Sequence, residues 1–152
     1  RLIIKKKKDK LFFINKYFKP DLPFNLTQYL LKFANSSIDI SDGLIDDLSK
    51  MINRQNLSFH LFEKNIPISK KLDNFIKNQK LNKINLISNG DDYQVLFTAD
   101  INKARIIKNA SKTTGIKITK IGKIVSRKDK SLIFDEKGKQ IQAKSKGYIH
   151  QF

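Results

Sequence analysis

Apolar residues recur along this chain at two different spacings, and the alternation between the two restricts the fold more than any other feature. Spacings of three and four, as between Leu26, Tyr29, Leu30 and Phe33, place side chains on one face of a helix. Strict alternation, as over 57–62, is typical of a strand. The resulting order is helix, strand, helix, strand, helix, strand, helix and a strand meander. This order predicts an α+β domain, a mixed β-sheet with helices packed mainly on one face.

Turn and cap signals bound the predicted elements. Asp100 is expected to cap a helix that Gly115 ends, and Gly138 is expected to supply the positive φ of a hairpin turn. The predicted helices lie within 22–34, from 44 onward, around 72–76 and after 100, and the predicted strands lie at 37–40, 57–62 and 93–98 and within 116–125, 131–134 and 139–142.

Charge is the main compositional signal. The formal net charge is +17 over 152 residues, with 39% hydrophobic content, which suffices for one ordinary core. Such a charge favours nucleic-acid binding, but only four of the 31 basic residues are arginine and the lysines are spread along the chain. We therefore expect no nucleic-acid partner and keep a basic nucleic-acid-binding module as an alternative. The one dense run, 5–8, indicates a solvated or disordered stretch.

Targeting signals and cysteines are missing from the sequence. No segment approaches membrane-spanning length and none has the form of a signal peptide, so we expect a cytoplasmic protein without a membrane partner. Without cysteine, a metal site must use oxygen or imidazole ligands. Because residue 1 is Arg1 and not Met, we expect residues upstream: 1–20 would be a basic segment from a preceding domain or linker, and 21–152 the domain itself.

The stretch "SIDISDGLIDDL" (37–48) gathers carboxylates, a hydroxyl and a glycine where a strand runs into a helix. Alternation places Asp39 and Ser41 on one side of the strand, and the turn brings Asp42 beside them. Their oxygens suit Mg²⁺, and unbonded N–H groups at a helix start favour phosphate. The competing interpretation makes Asp42 or Ser41 a helix N-cap, with Asp46 and Asp47 interacting with the helix dipole. Asp39, between two isoleucines, would then be costly to desolvate without a partner.

A second acidic stretch, "NGDDYQVLFT" (89–98), has a turn glycine followed by Asp91 and Asp92 at the start of a strand. These aspartates could face a ligand, or they could bond their own backbone as turn residues commonly do. No P-loop or Rossmann glycine pattern occurs, and His60 and His150 are too few and too isolated for a histidine metal site.

Five motifs stand in order along the chain: "IDISDGLIDDL", "IPIS", "NGDDYQVLFT", "KIGKI" and "GYIHQF". Taken together, they resemble the C-terminal half of thiamine-monophosphate kinase, from about Tyr17 onward. That family belongs to a superfamily with aminoimidazole ribonucleotide synthetase, selenophosphate synthetase and a hydrogenase maturation factor. Asp-x-Ser-Asp-Gly is specific when it is found with Gly-acidic-Asp-Tyr.

The resemblance implies ATP-dependent, Mg²⁺-assisted phosphorylation of thiamine monophosphate to thiamine diphosphate. By the family pattern, Asp39 and Asp42 would bind Mg²⁺ and Ser41 would contact ATP, while Asp91 and Tyr148 would contact the thiamine substrate. No catalytic residue is assigned, because a phosphate nucleophile needs no general base. The alternative within the superfamily is an ATP-using relative, selenophosphate synthetase-like or aminoimidazole ribonucleotide synthetase-like, that acts on another substrate.

The sequence departs from the family pattern in three respects. Gln94 stands where the family commonly has Glu, and "GYIHQF" is one residue longer than the usual ending, which affects the alignment of Tyr148. The family's N-terminal domain, which carries further metal and ATP sites and the homodimer contact, does not occur in this sequence. The chain alone is therefore expected to be inactive.

Overall fold

The computed structural model describes residues 4, 7–53 and 55–144. Within them, the helices are α1 Lys7–Phe18, α2 Phe24–Phe33, α3 Leu44–Ile52, α4 Lys70–Gln79, α5 Lys83–Ile87 and α6 Ala104–Thr114, and short 3-10 turns span Glu63–Asn65 and Ile101–Lys103. The strands are β1 Ser36–Asp39, β2 Leu57–Phe62, β3 Val95–Thr98, β4 Gly122–Ser126, β5 Leu132–Phe134 and β6 Gln140–Ile141. No helix among these residues is long and apolar enough to cross a membrane.

The described strands form two sheets. Strands β1 and β3 pair antiparallel, with Ser36 opposite Thr98 and Asp39 opposite Val95. The larger sheet has the order β4-β2-β5-β6, in which β2 and β5 run parallel and the other neighbours run antiparallel. The predicted α+β class with a mixed sheet is confirmed, with β1 and β3 in a sheet of their own.

Helix α3 packs its apolar face into the main core and so fixes the position of the first acidic stretch. Leu44, Leu48 and Ile52 of α3 are buried there with Phe59 and Leu61 of β2. Burying each such side chain stabilises the fold by roughly 1.5–3 kcal/mol relative to exposure. The loop that leads into α3 is therefore anchored by the helix that follows it.

A smaller core lies between α2 and α6. It buries Leu26, Phe33 and Ala110, and the Phe33 ring lies 5.2 Å from that of Phe97 on β3. This contact joins β3, the strand that ends the second acidic stretch, to the helices α2 and α6.

Three elements differ from the sequence-based expectation. Helix α5 was not predicted, and α1 begins inside the lysine run and packs on α4, where the Phe13 and Phe75 rings lie 6.1 Å apart. Within 116–125, only the residues from Gly122 onward form a strand. The division between 1–20 and 21–152 stays a prediction.

The predicted caps of the helix after residue 100 met different outcomes. Gly115 ends α6 with a φ of 70°, as predicted. Asp100 makes no side-chain cap bond, because its carboxylate accepts instead from the Asn35 amide at 3.3 Å. The hairpin turn with Gly138 at a φ of 78° is confirmed.

Candidate functional site

The two acidic stretches meet at one end of the β1 and β3 pair. Backbone hydrogen bonds continue past the strands: Ile40 N–H donates to Gln94 O (2.9 Å), and Tyr93 N–H donates to Ile40 O (2.8 Å). One step further, Asp91 N–H donates to Ser41 O at 2.9 Å. The stretches are 50 residues apart in sequence yet share one backbone network, as convergence on a single site requires.

Two glycines allow the loops to approach this closely. A Cβ added at Gly90 would lie 2.3 Å from the carbonyl oxygen of Ser41, and one at Gly43 would lie 2.5 Å from that of Ser88. Both glycines also have positive φ, 81° and 125°. Any side chain at either position would force the two backbones apart.

The buried carboxylate of Asp47 organises the loop 40–43 between β1 and α3, which we call the first loop. Its Oδ2 accepts the N–H groups of Ser41 (3.0 Å), Asp42 (2.9 Å) and Gly43 (3.1 Å). These three loop N–H groups are therefore engaged by Asp47. The expectation of a phosphate at the helix start concerns the N–H groups from Leu44 onward and stays a prediction. The N-cap expectation for Asp42 or Ser41 is wrong, since Gly43 occupies that position and no side chain caps it.

Three carboxylates form an acidic group beside this loop, with a lysine among them. One oxygen each from Asp42, Asp46 and Asp47 lies within 4.8 Å of the others, the one such group among the described residues. Lys50 Nζ lies 2.5 Å from Asp42 Oδ2, 2.7 Å from Asp46 Oδ2 and 3.4 Å from Asp47 Oδ1. Its hydrogen bonds, first to Asp42 and then to Asp46, raise the pKa of Lys50 well above its usual value.

The donor set of this acidic group fits a hard divalent cation. Carboxylate oxygens are the ligands that Mg²⁺ prefers, and a positive nitrogen already stands close to three of them. Asp47 Oδ2 is used by backbone N–H groups, so the oxygens best placed for a metal are those of Asp42 and Asp46, whose side chains are 28% and 32% exposed.

Asp39 lies on the exposed side of β1, outside the acidic group. The desolvation argument made from its isoleucine neighbours fails, because the strand turns those apolar side chains inward and Asp39 outward. Its carboxylate instead helps to raise the pKa of Tyr93, which lies in the loop 88–94 between α5 and β3. We call this loop the second loop.

Tyr93 interacts electrostatically with both Asp91 and Asp39. The Tyr93 hydroxyl lies 3.4 Å from Asp91 Oδ1. The Asp91 charge is the main cause that raises the pKa of Tyr93, and Tyr17 and Asp39 make smaller contributions. Two of the predicted ligand-binding carboxylates, Asp39 and Asp91, therefore act on one phenol.

The backbone of the second loop is unusual. Asp91 and Tyr93 have left-handed φ values of 61° and 50°, a conformation that costs a non-glycine residue roughly 1–2 kcal/mol. This explains why β3 begins at Val95 and not at 93. Backbone strain of this kind is typical of functional loops.

Asp92 lies between these two residues and is exposed as a whole residue. The pKa of its carboxyl is nevertheless raised, first because surrounding protein atoms desolvate the carboxyl and then because the Asp91 charge lies nearby.

A cleft of about 1630 Å³, lined mostly by apolar side chains, opens beside the second loop. Asp91, Asp92 and Gln94 line it, together with Tyr17 in the last turn of α1 and Asp21 from the segment between α1 and α2. Gln94 Nε2 donates to the Asp21 carbonyl at 3.0 Å, which ties the second loop to the segment between α1 and α2.

The predicted site residues thus have different outcomes. Asp42 and Ser41 lie on the first loop, Asp91 lies on the second, and Tyr148 falls outside the described residues. Sequence reasoning did not assign Lys50 to the site or Asp47 to loop anchoring. The spacing of four between Asp46 and Lys50 was the available signal for that ion pair.

No protein-family model matches the chain. The thiamine-monophosphate kinases of Buchnera aphidicola subsp. Schizaphis graminum and subsp. Acyrthosiphon pisum are 35% and 37% identical to it over 140 and 144 residues. Each alignment covers 91% of this chain and 42% of the relative, so the chain spans less than half the length of these curated relatives. The solved structure of AaThiL complexed with AMPPCP and TMP aligns with a TM-score of 0.73 and 24% identity over 98% of this chain and 44% of that one. This likeness shows the fold.

Proposed function

Because this chain is homologous to the C-terminal part of thiamine-monophosphate kinases, we propose that it carries part of the site for phosphorylating thiamine monophosphate to thiamine diphosphate with ATP. The observation that carries the proposal is the backbone network that joins the first loop to the second through Ile40, Ser41, Asp91 and Tyr93. It places the carboxylates proposed for metal and for substrate at one end of one sheet.

The proposed reaction requires neutralisation of the phosphate charges more than it requires a general base. A phosphate monoester has its second pKa near 6, so the acceptor is largely dianionic at neutral pH and needs no deprotonation. Mg²⁺ held by Asp39 and Asp42 would neutralise and align the two phosphate groups. Asp46 adds a further, half-buried carboxylate next to Asp42, and Asp47 holds the Asp42 backbone in place.

Ser41 and Asp91 are proposed to bind the two substrates. The Ser41 N–H donates to Asp47, so the contact with ATP is proposed for the Ser41 hydroxyl and not for its backbone. Asp91 would face the cationic thiazolium or the pyrimidine of thiamine monophosphate from the edge of the cleft. Tyr148, as a second substrate contact, stays a prediction from the family pattern.

The rest of the relatives' length is proposed to complete the site. The chain matches 42% of the curated relatives, and a kinase must enclose ATP on more than one side to exclude water. We therefore propose that the chain alone is inactive, that an N-terminal domain supplies further ATP contacts, and that the full-length enzyme is a homodimer.

The test is reconstitution. Thiamine diphosphate formation from ATP, Mg²⁺ and thiamine monophosphate would be measured for the chain alone, for the N-terminal half of a homologous kinase alone, and for their purified complex. Activity is expected only in the complex, and Asp39→Ala or Asp42→Ala should remove it. Asp129→Ala, an exposed carboxylate in the turn after β4, is the control and should leave activity intact.

A demonstrated complex that forms no product would contradict the proposal. If that complex hydrolyses ATP without responding to thiamine monophosphate, the chain acts on another substrate of the superfamily. Retained activity in Asp42→Ala would remove the proposed metal role of that residue while leaving the family assignment in place.

A further inference from the structure

Three aromatic side chains of α1 line the cleft that opens beside the second loop: Phe12, Phe13 and Tyr17. Phe13 and Tyr17 are four residues apart, a spacing that puts both on one face of the helix. We propose that the Tyr17 ring contacts the flat, positively charged ring of the substrate beside the acidic edge of the second loop. This inference rests on the proposed function and deepens it, because it adds a specificity-determining residue that no sequence motif assigned.

Tyr17 is the member of this aromatic group that is most accessible to a ligand. The Phe12 ring is half-buried and already carries the Lys71 ammonium, which lies 4.7 Å from the ring centroid. Phe13 is also half-buried and packs against α4. Tyr17, in contrast, is 59% exposed, and its ring meets the Phe18 ring edge to face with the centroids 5.2 Å apart.

The end of α1 is held close to the second loop. Gln94 Nε2 donates at 3.0 Å to the carbonyl oxygen of Asp21, which follows Tyr17 by four residues. The pKa of Tyr93 is raised mainly by the Asp91 charge and to a smaller extent by Tyr17. Tyr17 therefore lies within electrostatic reach of the phenol that contacts Asp91, so an aromatic ring and a carboxylate stand at the same part of the cleft.

This combination of groups recognises a flat organic cation. The face of a tyrosine ring attracts a cation that lies within about 6 Å of its centroid, and Asp91 and Asp92 add negative charge at the edge of the cleft. The net charge of +17 repels a cation from most of the surface, so a local group of this kind is needed to bind one. The cleft volume of about 1630 Å³ exceeds the roughly 300–1,000 Å³ of common small-molecule sites, so it has room for the ring.

The experiment measures the binding of thiamine to the full 152-residue chain by titration calorimetry. Thiamine carries the cationic ring and no phosphate, so its binding is separated from the general attraction of phosphate to a basic chain. Wild type would be compared with Tyr17→Ala, Tyr17→Leu, Tyr17→Phe and Asp91→Asn. Circular dichroism would establish that each variant is folded.

The expected result depends on the face of the ring. Tyr17→Ala and Tyr17→Leu should each raise the Kd for thiamine about threefold to tenfold, because both remove the aromatic face. Tyr17→Phe keeps that face and should stay within about twofold of wild type. Phe24→Ala is the control, since Phe24 is an aromatic side chain of similar exposure, 70%, that does not line the cleft. It should bind thiamine as wild type does.

The outcomes separate this inference from the proposed function. An unchanged Kd in Tyr17→Ala, together with weaker binding in Asp91→Asn, would overturn the role of Tyr17 and leave that of Asp91 standing. Wild-type affinity in Tyr17→Leu would overturn the aromatic contact, because apolar bulk alone would then be enough. A wild-type chain without saturable thiamine binding would also overturn the inference, whereas thiamine diphosphate formation by the reconstituted complex would still decide the proposed function.

Discussion

The carboxylate of Asp47 lies beneath the first acidic loop with its side chain only 2% exposed. From the sequence, Asp47 was expected to interact with the helix dipole, since it stands in the first turn of α3. What spacing could not reveal is that the loop curls back over the helix start and aims three N–H groups at one oxygen. That arrangement depends on the Gly43 backbone and on the packing of α3, which are properties of the folded chain.

Asp47→Asn should therefore destabilise the chain markedly. The amide loses the charge that strengthens three hydrogen bonds, and its NH₂ group has no acceptor among those backbone donors. We expect a loss of about 2 kcal/mol or more in the free energy of unfolding, measured by urea denaturation. Asp73→Asn, at an exposed ion pair, should lose less than about 1 kcal/mol, and equal losses in the two variants would refute the anchoring role of Asp47.

The pairing of Tyr93 with Asp91 predicts a pH effect. Because the Asp91 charge raises the pKa of Tyr93 in the folded chain, this contact stabilises the fold below the ordinary tyrosine pKa. The stabilisation is lost as the pH rises through the raised value. Asp91→Asn should move the ionisation of Tyr93 to lower pH. The ionisation is measured by tyrosinate absorbance, and the contribution of Tyr93 is the part of that absorbance that Tyr93→Phe removes. Asp129→Asn serves as the control, and an unshifted titration in Asp91→Asn would show that the two side chains do not interact.

At the scale of elements, sequence periodicity located most of the helices and strands, because α2, α3, β2 and α6 each bury one periodic apolar face. It failed where the backbone departs from regular geometry. Strand β3 starts two residues later than expected because Tyr93 has a left-handed φ, and a short helix such as α5 shows too few turns for a period to be visible. The meeting of the two acidic loops was suggested only by the family resemblance, since no local pattern encodes a contact 50 residues apart.

The two loops should tolerate no side chain at their contact. Gly90→Ala adds a Cβ against the Ser41 carbonyl at a positive φ, so both strain and a backbone clash oppose it. We expect it to destabilise the chain by about 3 kcal/mol or more in urea denaturation. Gly115→Ala and Gly138→Ala share the positive φ but have no atom within 4 Å of the added Cβ, so each should lose only about 1 kcal/mol. Similar losses at all three positions would mean that the loops are not in close contact.

For the whole molecule, the net charge of +17 and the acidic site favour different partners. The described lysines are distributed over helices, strands and loops, and Lys50, which lies beside the first loop, is engaged by carboxylates. Dispersed basic charge attracts any polyanion through counterion release and selects none of them. The acidic loops would repel nucleic acid, since their carboxylates carry the same sign of charge as its phosphates.

This contrast predicts how the chain treats RNA and DNA. Binding to labelled single-stranded and duplex oligonucleotides, followed by fluorescence anisotropy, should be weak, with a Kd of about 10⁻⁵ M or higher at physiological salt, and should weaken steeply as salt is added. Asp39→Ala and Asp42→Ala should leave it unchanged or slightly stronger, since each removes a negative charge. Tight binding that prefers one sequence and persists in salt would instead favour a nucleic-acid-binding module, because only a surface that reads bases retains its affinity when the ionic contribution is screened.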